Sequence, residues 1–536
     1  MSSASRRPRR RPTPADRVAD SPGTTSRHPA LANVAALALG VIAVLGFAPF
    51  ALPLLAIACT TALFALWLGA PRARDAAQAG YAFGVGLFGA GASWVYVAIG
   101  TFGGMPPVLA ALGTALFVAW LALWPALAGY VAVRLTEPGT LARAAAIAGA
   151  FAIAEWVRGL TGFPWLALGS SQLPGSTLAG FAPLGGTTLV SLAVALVAAL
   201  AALGIDAAAA RLPRRVFATA GAIVALFVAG ALLWRVSWTA PTGRTLAVSL
   251  IQGNVALRDK FDPAYRDRNF ELYALLAEQS RGRLIVFPES AMPVFAHEVP
   301  DAIFERIGRA ADARDGDALV GIFTLSPPAA PGEDPGIHNS VVTVGASRSQ
   351  IYRKHHLVPF GETIPAKPLL GFFINDILHI PLADQTPGPA NAPPLDVAGE
   401  KVAVDICYED AYGGELRHAS REATLLVNVT NDAWYGHSIA AWQHNQIAAM
   451  RALESGRPLL RATNTGITSA IDFRGREFAS LPWYTRGILE VRVEGRTGST
   501  PYLALGDALP LACAAVVLVA GAIARRRTGG PPRPTR

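Results

Sequence analysis

The sequence predicts an α-helical polytopic membrane bundle of about eight spans joined to an α/β domain of the αββα sandwich type. Of the 536 residues, 52% are hydrophobic and only 15% are charged, whereas soluble domains carry about 25% charged residues. Eight apolar runs are close to the length of roughly 20 residues that a bilayer-spanning helix needs. Between the last two runs, short β-rich segments alternate with helical stretches, which is the pattern of an α/β or layered domain.

Seven of the apolar runs precede residue 240, and the eighth follows the α/β region. The runs span residues 31–49, 52–69, 79–99, 107–133, 141–158, 180–203, 215–237 and 503–524. We therefore predict seven transmembrane helices within 31–238, a separate domain at 240–498 and an eighth transmembrane helix at 503–524. The run 107–133 is long enough to tilt or to begin after the two prolines that precede it.

The arginines between the runs predict the orientation of the chain. If the N-terminal tail is cytoplasmic, the cytoplasmic connections contain Arg72, Arg74, Arg134, Arg143, Arg211, Arg214 and Arg215. The opposite connections, 50–51, 100–106 and 159–179, contain no lysine or arginine. Positive residues stay on the cytoplasmic side, so we expect the domain at 240–498 in the periplasm of a bacterium, anchored in its inner membrane.

The net charge of +9 does not indicate nucleic-acid binding. Residues 1–30 and 525–536 together contain twelve arginines and two acidic residues, so the remainder of the chain is close to neutral. Both segments are rich in proline and arginine, and we predict that they are disordered, basic cytoplasmic tails. No nucleic-acid partner is expected.

One pair of charged residues interrupts the apolar pattern. Glu155 and Arg158 close the fifth run and lie one helical turn apart, so they can pair. Ionisable residues at membrane depth are candidates for function; the alternative is an interfacial pair whose charged ends reach water. The uncharged stretch 159–179 that follows is a candidate lining for a lipid entrance.

Three polar residues follow β-rich segments of the α/β region. Glu289 follows LIVFP, Lys354 follows SQIYR and Cys407 ends KVAVDIC. Pro288 cannot extend a β-ladder, so Glu289 is expected to leave the sheet where its strand ends. Ligands collect at the carboxyl ends of strands in open α/β sheets, and we therefore expect the three side chains at one rim.

These residue types suit covalent catalysis by a thiol. Cys407 is the only cysteine outside the apolar runs. A thiol is mostly protonated at neutral pH, so a carboxylate such as Glu289 can accept its proton as the sulfur attacks. An ammonium such as Lys354 would stabilise the oxyanion that forms. Two alternatives remain, a buried structural thiol and a Cys–His pair that uses His355 or His356.

Three segments resemble the nitrilase superfamily. They are FPES (287–290), YRKHHLVPFGE (352–362) and VDICYED (404–410), supported by VNVTNDAWYG (427–436) and RALESGRPLLRATNTGITSAID (451–472). With a membrane bundle in front and one helix behind, the whole chain resembles the apolipoprotein N-acyltransferase family. The resemblance implies a nitrilase-like αββα sandwich that acts as an acyltransferase. It would move a fatty acyl chain from a membrane phospholipid, through a cysteine thioester, to the α-amine of the S-diacylglyceryl cysteine of apolipoproteins.

The resemblance also implies a role for each site residue. Glu289 would be the general base, Lys354 the oxyanion support and Cys407 the nucleophile. Supporting positions are Glu362, which would orient the lysine, and Tyr408, Glu409 and Asn339. Trp434 and Phe261 would wall the lipid pocket. The family often has tryptophan where Phe261 stands, so an aromatic wall is kept but an indole N–H is lost.

The remaining expectations concern lipid access, metals and partners. The segment 362–382 is unusually apolar, and Phe372 and Phe373 make it either part of the core or a mobile arm that contacts lipid. His437 and His444 are too isolated to indicate a metal site, and no cofactor is expected. The expected partners are a phospholipid acyl donor, a diacylglyceryl-apolipoprotein acceptor and the bilayer, and the protein is expected to be a monomer. The alternative functions are a membrane-tethered nitrilase-type amidase and a transporter with a degenerate outer domain.

Overall fold

The computed structural model of the protein describes residues 29–328, 331–332, 334–363 and 384–528. Seven described helices of at least 15 residues precede the first strand. Helices α1 to α7 span Pro29–Ala43, Pro53–Leu68, Ala73–Gly91, Pro107–Leu135, Leu141–Leu160, Ala182–Ala209 and Pro213–Leu233. Each of the seven predicted apolar runs therefore contains a helix.

The third run, 79–99, is not one helix as predicted. Helix α3 ends at Gly91, and the chain bends by 59° before the helical segment Val95–Phe102. The carbonyl oxygen of Gly91, the last residue of the helix, accepts hydrogen bonds from the Trp94 indole N–H, at 3.0 Å, and from the Gln443 side-chain amide, at 3.0 Å. Since helix ends need partners for their last carbonyls, the break is stabilised by a residue of the α/β domain, which the local sequence does not reveal.

Three helical segments are long and apolar enough to cross a membrane. They are Pro107–Leu135, Thr177–Ala209 and Pro213–Leu233, and the bent pair Ala73–Gly91 and Val95–Phe102 is a fourth if it counts as one span. Shorter apolar helices cover Ala30–Gly46, Pro53–Leu68 and Ala508–Ile523. By length and composition the described residues thus contain three or four spans, and the expectation of about eight remains a prediction.

The region after α7 contains thirteen described strands and five described helices of eight or more residues. Strands β1 to β13 span Thr239–Gln252, Leu284–Val286, Met292–Phe295, Asp317–Ser326, Gly336–Gly345, Ile351–Arg353, Leu395–Val397, Glu400–Ile406, Leu425–Thr430, Leu459–Thr463, Ser469–Ile471, Glu477–Ser480 and Gly487–Gly498. Helices α8 to α11 span Arg266–Gln279, Asp301–Asp312, Gly413–Ser420 and Ala440–Ser455, and α12 spans Ala508–Thr528. Every β-rich segment of the sequence contains a strand.

The strands form two sheets that pack face to face. One sheet has the order β13-β1-β2-β4-β5-β6, with β3 also paired to β4, and the other has the order β12-β11-β10-β9-β8-β7. Helices α8 and α9 share a buried apolar cluster with the outer face of the first sheet. Helices α10 and α11 pack on the second sheet. The predicted αββα layering is confirmed.

The α/β domain and the bundle share one apolar core. Its buried residues extend from the bundle to the facing sides of both sheets. Helix α11 lies between them, because it packs on β10 on one side and on α6 on the other. The strands of the α/β domain are therefore held against the helices of the bundle by a continuous packed layer.

Candidate active site

Cys407 lies at the junction between strand and helical turn. It directly follows β8 and begins the turn Cys407–Ala411. Its φ is +56°, in the left-handed region, which costs an L-residue roughly 1–2 kcal/mol. Strained conformations of this kind concentrate at functional sites. The residue is only 5% exposed, so the thiol is shielded from bulk water.

Glu289 lies on a tight turn after β2, as the proline in front of it predicted. The strand ends at Val286, and Ser290 has a φ of +45°. The turn crosses strand β4 so closely that a Cβ at Gly321 would lie 2.7 Å from the Ser290 nitrogen and 3.0 Å from the Glu289 Cα. Glycine at 321 is therefore required for the position of Glu289.

Lys354 lies between two carboxylates. Its Nζ is 2.8 Å from Glu362 Oε2 and 3.7 Å from Glu289 Oε1. The side-chain amide of Asn339 donates to Glu289, at 2.8 Å, and to Glu362, at 3.2 Å. Burial acts to lower the pKa of Lys354, but the charges of the two glutamates outweigh it and the pKa is raised. The lysine is thus a permanently charged, oriented ammonium.

The charges of Glu289 and Lys354 both change the pKa of the Cys407 thiol. Burial raises its pKa well above the ordinary value, the Glu289 carboxylate raises it further, and Lys354 opposes them only in part. The resting thiol is therefore protonated. A thiol in this state needs a base at the moment of attack, and Glu289 is the carboxylate that acts most strongly on the pKa of Cys407.

The sequence suggested that the site residues lie at one rim of a sheet. In the structure they come from both sheets. Glu289, Asn339 and Lys354 follow or belong to strands of the first sheet, whereas Cys407 follows β8 of the second. The site lies where the two sheets face each other. Sandwich packing, and not a single strand edge, brings the side chains together.

Glu409 joins the two sheets beside Cys407. One of its oxygens accepts from the backbone N–H groups of His355, at 2.8 Å, and His356, at 3.0 Å. The other accepts from the Ile406 N–H, at 2.7 Å, and the Tyr352 hydroxyl, at 2.9 Å. Glu409 therefore fixes the loop after Lys354 to the turn that contains Cys407.

Tyr408 connects the same turn to the membrane bundle. Its hydroxyl donates to the carbonyl oxygen of Gly162, in the loop after α5. Its ring stacks on Trp165 of that loop, with the centroids 5.8 Å apart. The residues 163–173 are mostly buried, so this part of the uncharged stretch packs against the α/β domain, and its candidate role as the lining of a lipid entrance remains a prediction.

A buried charge network beneath Cys407 was not predicted from the sequence. His444 binds Asp410 at 2.9 Å and Asp432 at 2.8 Å, and Arg461 binds the same two carboxylates at 2.9 and 3.2 Å. Burial and Arg461 act to lower the pKa of His444, but the two aspartates raise it to about 9. His444 also donates to the Cys407 carbonyl oxygen at 3.2 Å. The one available signal was an arginine inside the apolar β10 segment.

Lys260 is a second lysine of the site that sequence reasoning missed. It is 3% exposed, and its Nζ donates to the backbone carbonyl of Glu289 at 2.8 Å. Burial lowers its pKa to about 8, against the opposing charges of Glu289 and Cys407. No feature of the local sequence indicated this long-range contact. Lys260 and Gly321 together determine where the Glu289 turn lies.

The predicted lipid-binding aromatics are only partly described. The rings of Trp434 and Phe261 are 6.3 Å apart, and Trp434 also lies 6.1 Å from Phe102 of the bent bundle segment. These rings form an aromatic contact between the two parts of the protein. Phe372 and Phe373 lie outside the described residues.

Four further residues have specific contacts elsewhere. His355 Nδ1 lies 2.8 Å from the Gly388 carbonyl oxygen, and His356 Nδ1 lies 2.9 Å from Glu415. These contacts point both rings to groups other than the thiol.

In the bundle, Glu155 accepts from the Leu168 N–H at 2.7 Å and from the Ser191 hydroxyl. Arg158 donates to the carbonyl oxygens of Phe163 and Trp165 at 2.6 and 2.7 Å. Both therefore bind the loop 163–168 and its surroundings, and the expected ion pair between them is not among the salt bridges of the described residues.

Two family models match the chain in succession. The apolipoprotein N-acyltransferase N-terminal domain matches residues 39–200, and carbon-nitrogen hydrolase matches residues 234–502. The apolipoprotein N-acyltransferase of Nitrosomonas europaea is 43% identical over 501 residues, which cover 92% of this chain and 98% of that protein. That of Ralstonia nicotianae is also 43% identical, over 93% of this chain and 94% of its own length. The chain belongs to the apolipoprotein N-acyltransferase family.

Similarity to solved structures extends over about half of the chain. The Caenorhabditis elegans NitFhit protein matches with a TM-score of 0.35 at 14% identity, over 48% of this chain and 62% of its own. A mutant amidase of the nitrilase superfamily from Nesterenkonia matches with a TM-score of 0.34 at 18% identity, over 49% and 95%. For this member of the apolipoprotein N-acyltransferase family, the matched carbon-nitrogen hydrolase region includes Glu289, Lys354 and Cys407.

Proposed function

We propose that the protein transfers a fatty acyl chain from a membrane phospholipid to the N-terminal α-amine of the S-diacylglyceryl cysteine of apolipoproteins. Family membership and the names of relatives over more than nine-tenths of the chain support this reaction. The observation that supports the mechanism is the buried arrangement of Glu289, Lys354 and Cys407. The membrane-tethered amidase is not favoured, since the relatives match the bundle as well as the α/β domain.

In the first half-reaction Cys407 becomes acylated. Glu289 accepts the thiol proton as Sγ attacks the ester carbonyl carbon of the phospholipid, and a C–S bond forms. Lys354 stabilises the negative oxygen of the tetrahedral intermediate, an effect that is typically worth a factor of 10²–10³ in rate. The ester C–O bond then breaks, and the lysophospholipid alcohol leaves with the proton from Glu289.

In the second half-reaction the acyl chain reaches its acceptor. The α-amine of the diacylglyceryl cysteine attacks the thioester carbonyl, an amide bond forms and the C–S bond breaks. Glu289 takes the amine proton and returns it to the Cys407 sulfur. An amine competes with water only if the site is shielded, and Cys407 is 5% exposed. Glu362 and Asn339 orient Lys354 and Glu289, whereas Glu409 and Tyr408 position the nucleophile turn.

The substrates require a membrane location. Several apolar helices fit a bacterial membrane protein. We propose about eight spans in the inner membrane, within 31–238 and 503–524, with the catalytic domain 240–498 in the periplasm and basic cytoplasmic tails at 1–30 and 525–536. Trp434 and Phe261 would contact the acyl chain, and the protein would act as a monomer. A reporter active only in the cytoplasm should be active after residue 536 and silent near residue 240, and the reverse pattern would overturn this topology.

Mass spectrometry of Cys407 tests the proposed chemistry. After incubation with a defined phospholipid, the peptide containing Cys407 should gain the mass of one acyl chain. A synthetic peptide with an N-terminal S-diacylglyceryl cysteine should then remove that mass and become N-acylated. Cys407→Ala should do neither while remaining folded. Acyl transfer that persists in Cys407→Ala would refute the thioester mechanism, and thioester lost only to water would favour a hydrolase.

A further inference from the structure

A crevice opens where the last helix before the α/β domain meets that domain. It is partly open to solvent and is lined by Trp234, Trp238, Phe473 and Arg474, with Pro183 and Leu233 on the apolar side. Its walls thus belong to the bundle, to the connection between the two parts and to a turn of the second sheet. The residues of the proposed catalytic site do not line it.

Arg474 lines this crevice, and Arg496 and Arg457 lie next to its lining residues Phe473 and Gly456, so the three form an arginine cluster. The guanidinium groups of Arg474 and Arg496 both lie over the Phe473 ring, at 5.3 and 3.7 Å from its centroid. Arg457 is 1% exposed and follows Gly456, which lines the crevice. Burial and the nearby charge of Arg496 lower the pKa of Arg457 to about 10. Like charges this close are unfavourable unless an anion offsets them.

The described carboxylates do not supply that anion. Within the described ranges, none of the three arginines forms an ion pair within 4.0 Å. The acidic groups that act on Arg496 are Glu494 and Asp472. Both are engaged elsewhere, since Glu494 accepts from the Gly243 N–H at 2.9 Å and Asp472 pairs with Arg476 at 2.8 Å. The crevice therefore keeps an excess of positive charge.

Arg457 and Arg496 are held in place by neutral acceptors. Arg457 donates to the carbonyl oxygens of Ala423, at 2.6 Å, and Gly498, at 2.7 Å. Arg496 donates to the Thr239 hydroxyl at 2.8 Å. Carbonyl and hydroxyl oxygens orient a guanidinium without neutralising it. One nitrogen of the buried Arg457, Nη1, has no hydrogen-bond partner among the described residues.

The surroundings indicate a lipid rather than a soluble anion. Trp234 directly follows Pro213–Leu233, a helix that can span a membrane, and Trp238 lies between that helix and the first strand. Tryptophans at this position mark the membrane–water interface. The Trp238 Nε1 is buried and, in the described part of the chain, has no hydrogen-bond acceptor. The crevice thus combines cationic groups, an indole donor and an apolar wall beside a membrane helix.

We propose that this crevice binds an anionic phospholipid, with the headgroup phosphate at the arginine cluster and the acyl chains along Pro213–Leu233. Arginine matches phosphate geometry with paired hydrogen bonds. The bound lipid would bridge the bundle and the α/β domain at their connection. It is a second lipid site that undergoes no reaction, in addition to the proposed acyl-donor site at Cys407.

Native mass spectrometry of the full-length protein in detergent tests this site. The probe is an ether-linked phosphatidylglycerol with a photoreactive headgroup, which has no acyl ester for Cys407 to attack; ether-linked phosphatidylcholine is the neutral comparison. Arg474→Gln should weaken phosphatidylglycerol binding at least about tenfold, as expected for loss of one hydrogen bond to a charged group. Arg492→Gln removes the same charge from an exposed position on β13 and should leave binding unchanged.

The outcomes separate this proposal from the proposed reaction. Support requires cross-links within 234–238 or 473–476 and normal thioester formation in Arg474→Gln. The proposal is overturned if Arg474→Gln binds the lipid like the unchanged protein, or if both headgroups bind equally. Displacement of the lipid by inorganic phosphate alone would also overturn it, since it would indicate a site for soluble anions.

Discussion

Replacing Glu409 by glutamine alters a buried carboxylate that accepts four hydrogen bonds. One oxygen accepts from the Ile406 N–H, at 2.7 Å, and from the Tyr352 hydroxyl, at 2.9 Å. The other accepts from the N–H groups of His355 and His356, at 2.8 and 3.0 Å. Glutamine has one acceptor oxygen, so its NH₂ group must face two of these donors in either orientation.

The magnitude of the effect follows from that geometry. If the NH₂ group takes the place of Oε2, Tyr352 can rotate its hydroxyl to accept, but the Ile406 N–H loses its acceptor. A buried unsatisfied donor costs about 1–3 kcal/mol, and the remaining bonds lose their charged acceptor. We expect the free energy of unfolding to fall by about 2–4 kcal/mol. Ile406 precedes Cys407, whose φ is +56°, so the nucleophile also loses its restraint.

Two measurements check this prediction. Thermal unfolding in detergent reports the loss of stability, and the burst of Cys407 thioester reports the displaced nucleophile, which we expect to react about 10–100 times more slowly. Glu415→Gln is the matched control, because Glu415 bonds the nearby His356 ring but its side chain is 25% exposed. The control should change stability by less than about 0.5 kcal/mol. A Glu409→Gln variant with normal stability and a normal burst would refute the reasoning.

Three further predictions concern charge and packing. The folded-state pKa of His444, about 9, exceeds the reference value of 6.5. The charged His444 therefore stabilises the fold fully below pH 6.5, and this contribution is lost as the pH rises through 9. Thermal unfolding of His444→Gln should lack this pH dependence. Iodoacetamide labelling of Cys407 should shift to higher pH in Lys354→Met and to lower pH in Glu289→Gln, since these charges act oppositely on the thiol; shifts in the same direction would contradict the assigned electrostatics. Gly321→Ala should displace the Glu289 turn, cost about 1–3 kcal/mol and slow thioester formation, and a normal burst would show that the turn tolerates a methyl group.

Local patterns predicted most of the secondary structure. Apolar runs of bilayer length became helices, because their composition leaves few polar side chains to compete for backbone hydrogen bonds. The short, mostly apolar segments around residues 284–286 and 425–430 became buried strands, because runs of only a few residues favour strands over helices. The pattern failed at 79–99, where the helix ends at Gly91 because Gln443 from a distant helix binds its carbonyl oxygen.

Site residues could be predicted from the sequence only where they directly follow a strand that the sequence itself predicts. Glu289 leaves its strand because Pro288 has no N–H for the ladder, and Cys407 follows β8 directly. Lys260 could not be predicted in this way, since its neighbours in sequence say nothing about the Glu289 carbonyl that it binds. The same holds for His444, which looked isolated but lies between two buried aspartates.

The sequence by itself thus determined the order of apolar helices, the strands of the α/β domain and the residue types available for acyl transfer. Only the tertiary structure decided that the proposed base and nucleophile come from opposite sheets, that Tyr408 binds the bundle loop at Gly162 and that Arg474 and Arg496 share the Phe473 ring. The physical reason is the distance along the chain over which each interaction acts. Hydropathy and proline act within a few residues, whereas burial, ion pairing and the pKa values that follow from them depend on groups that are distant in sequence and meet only in the folded chain.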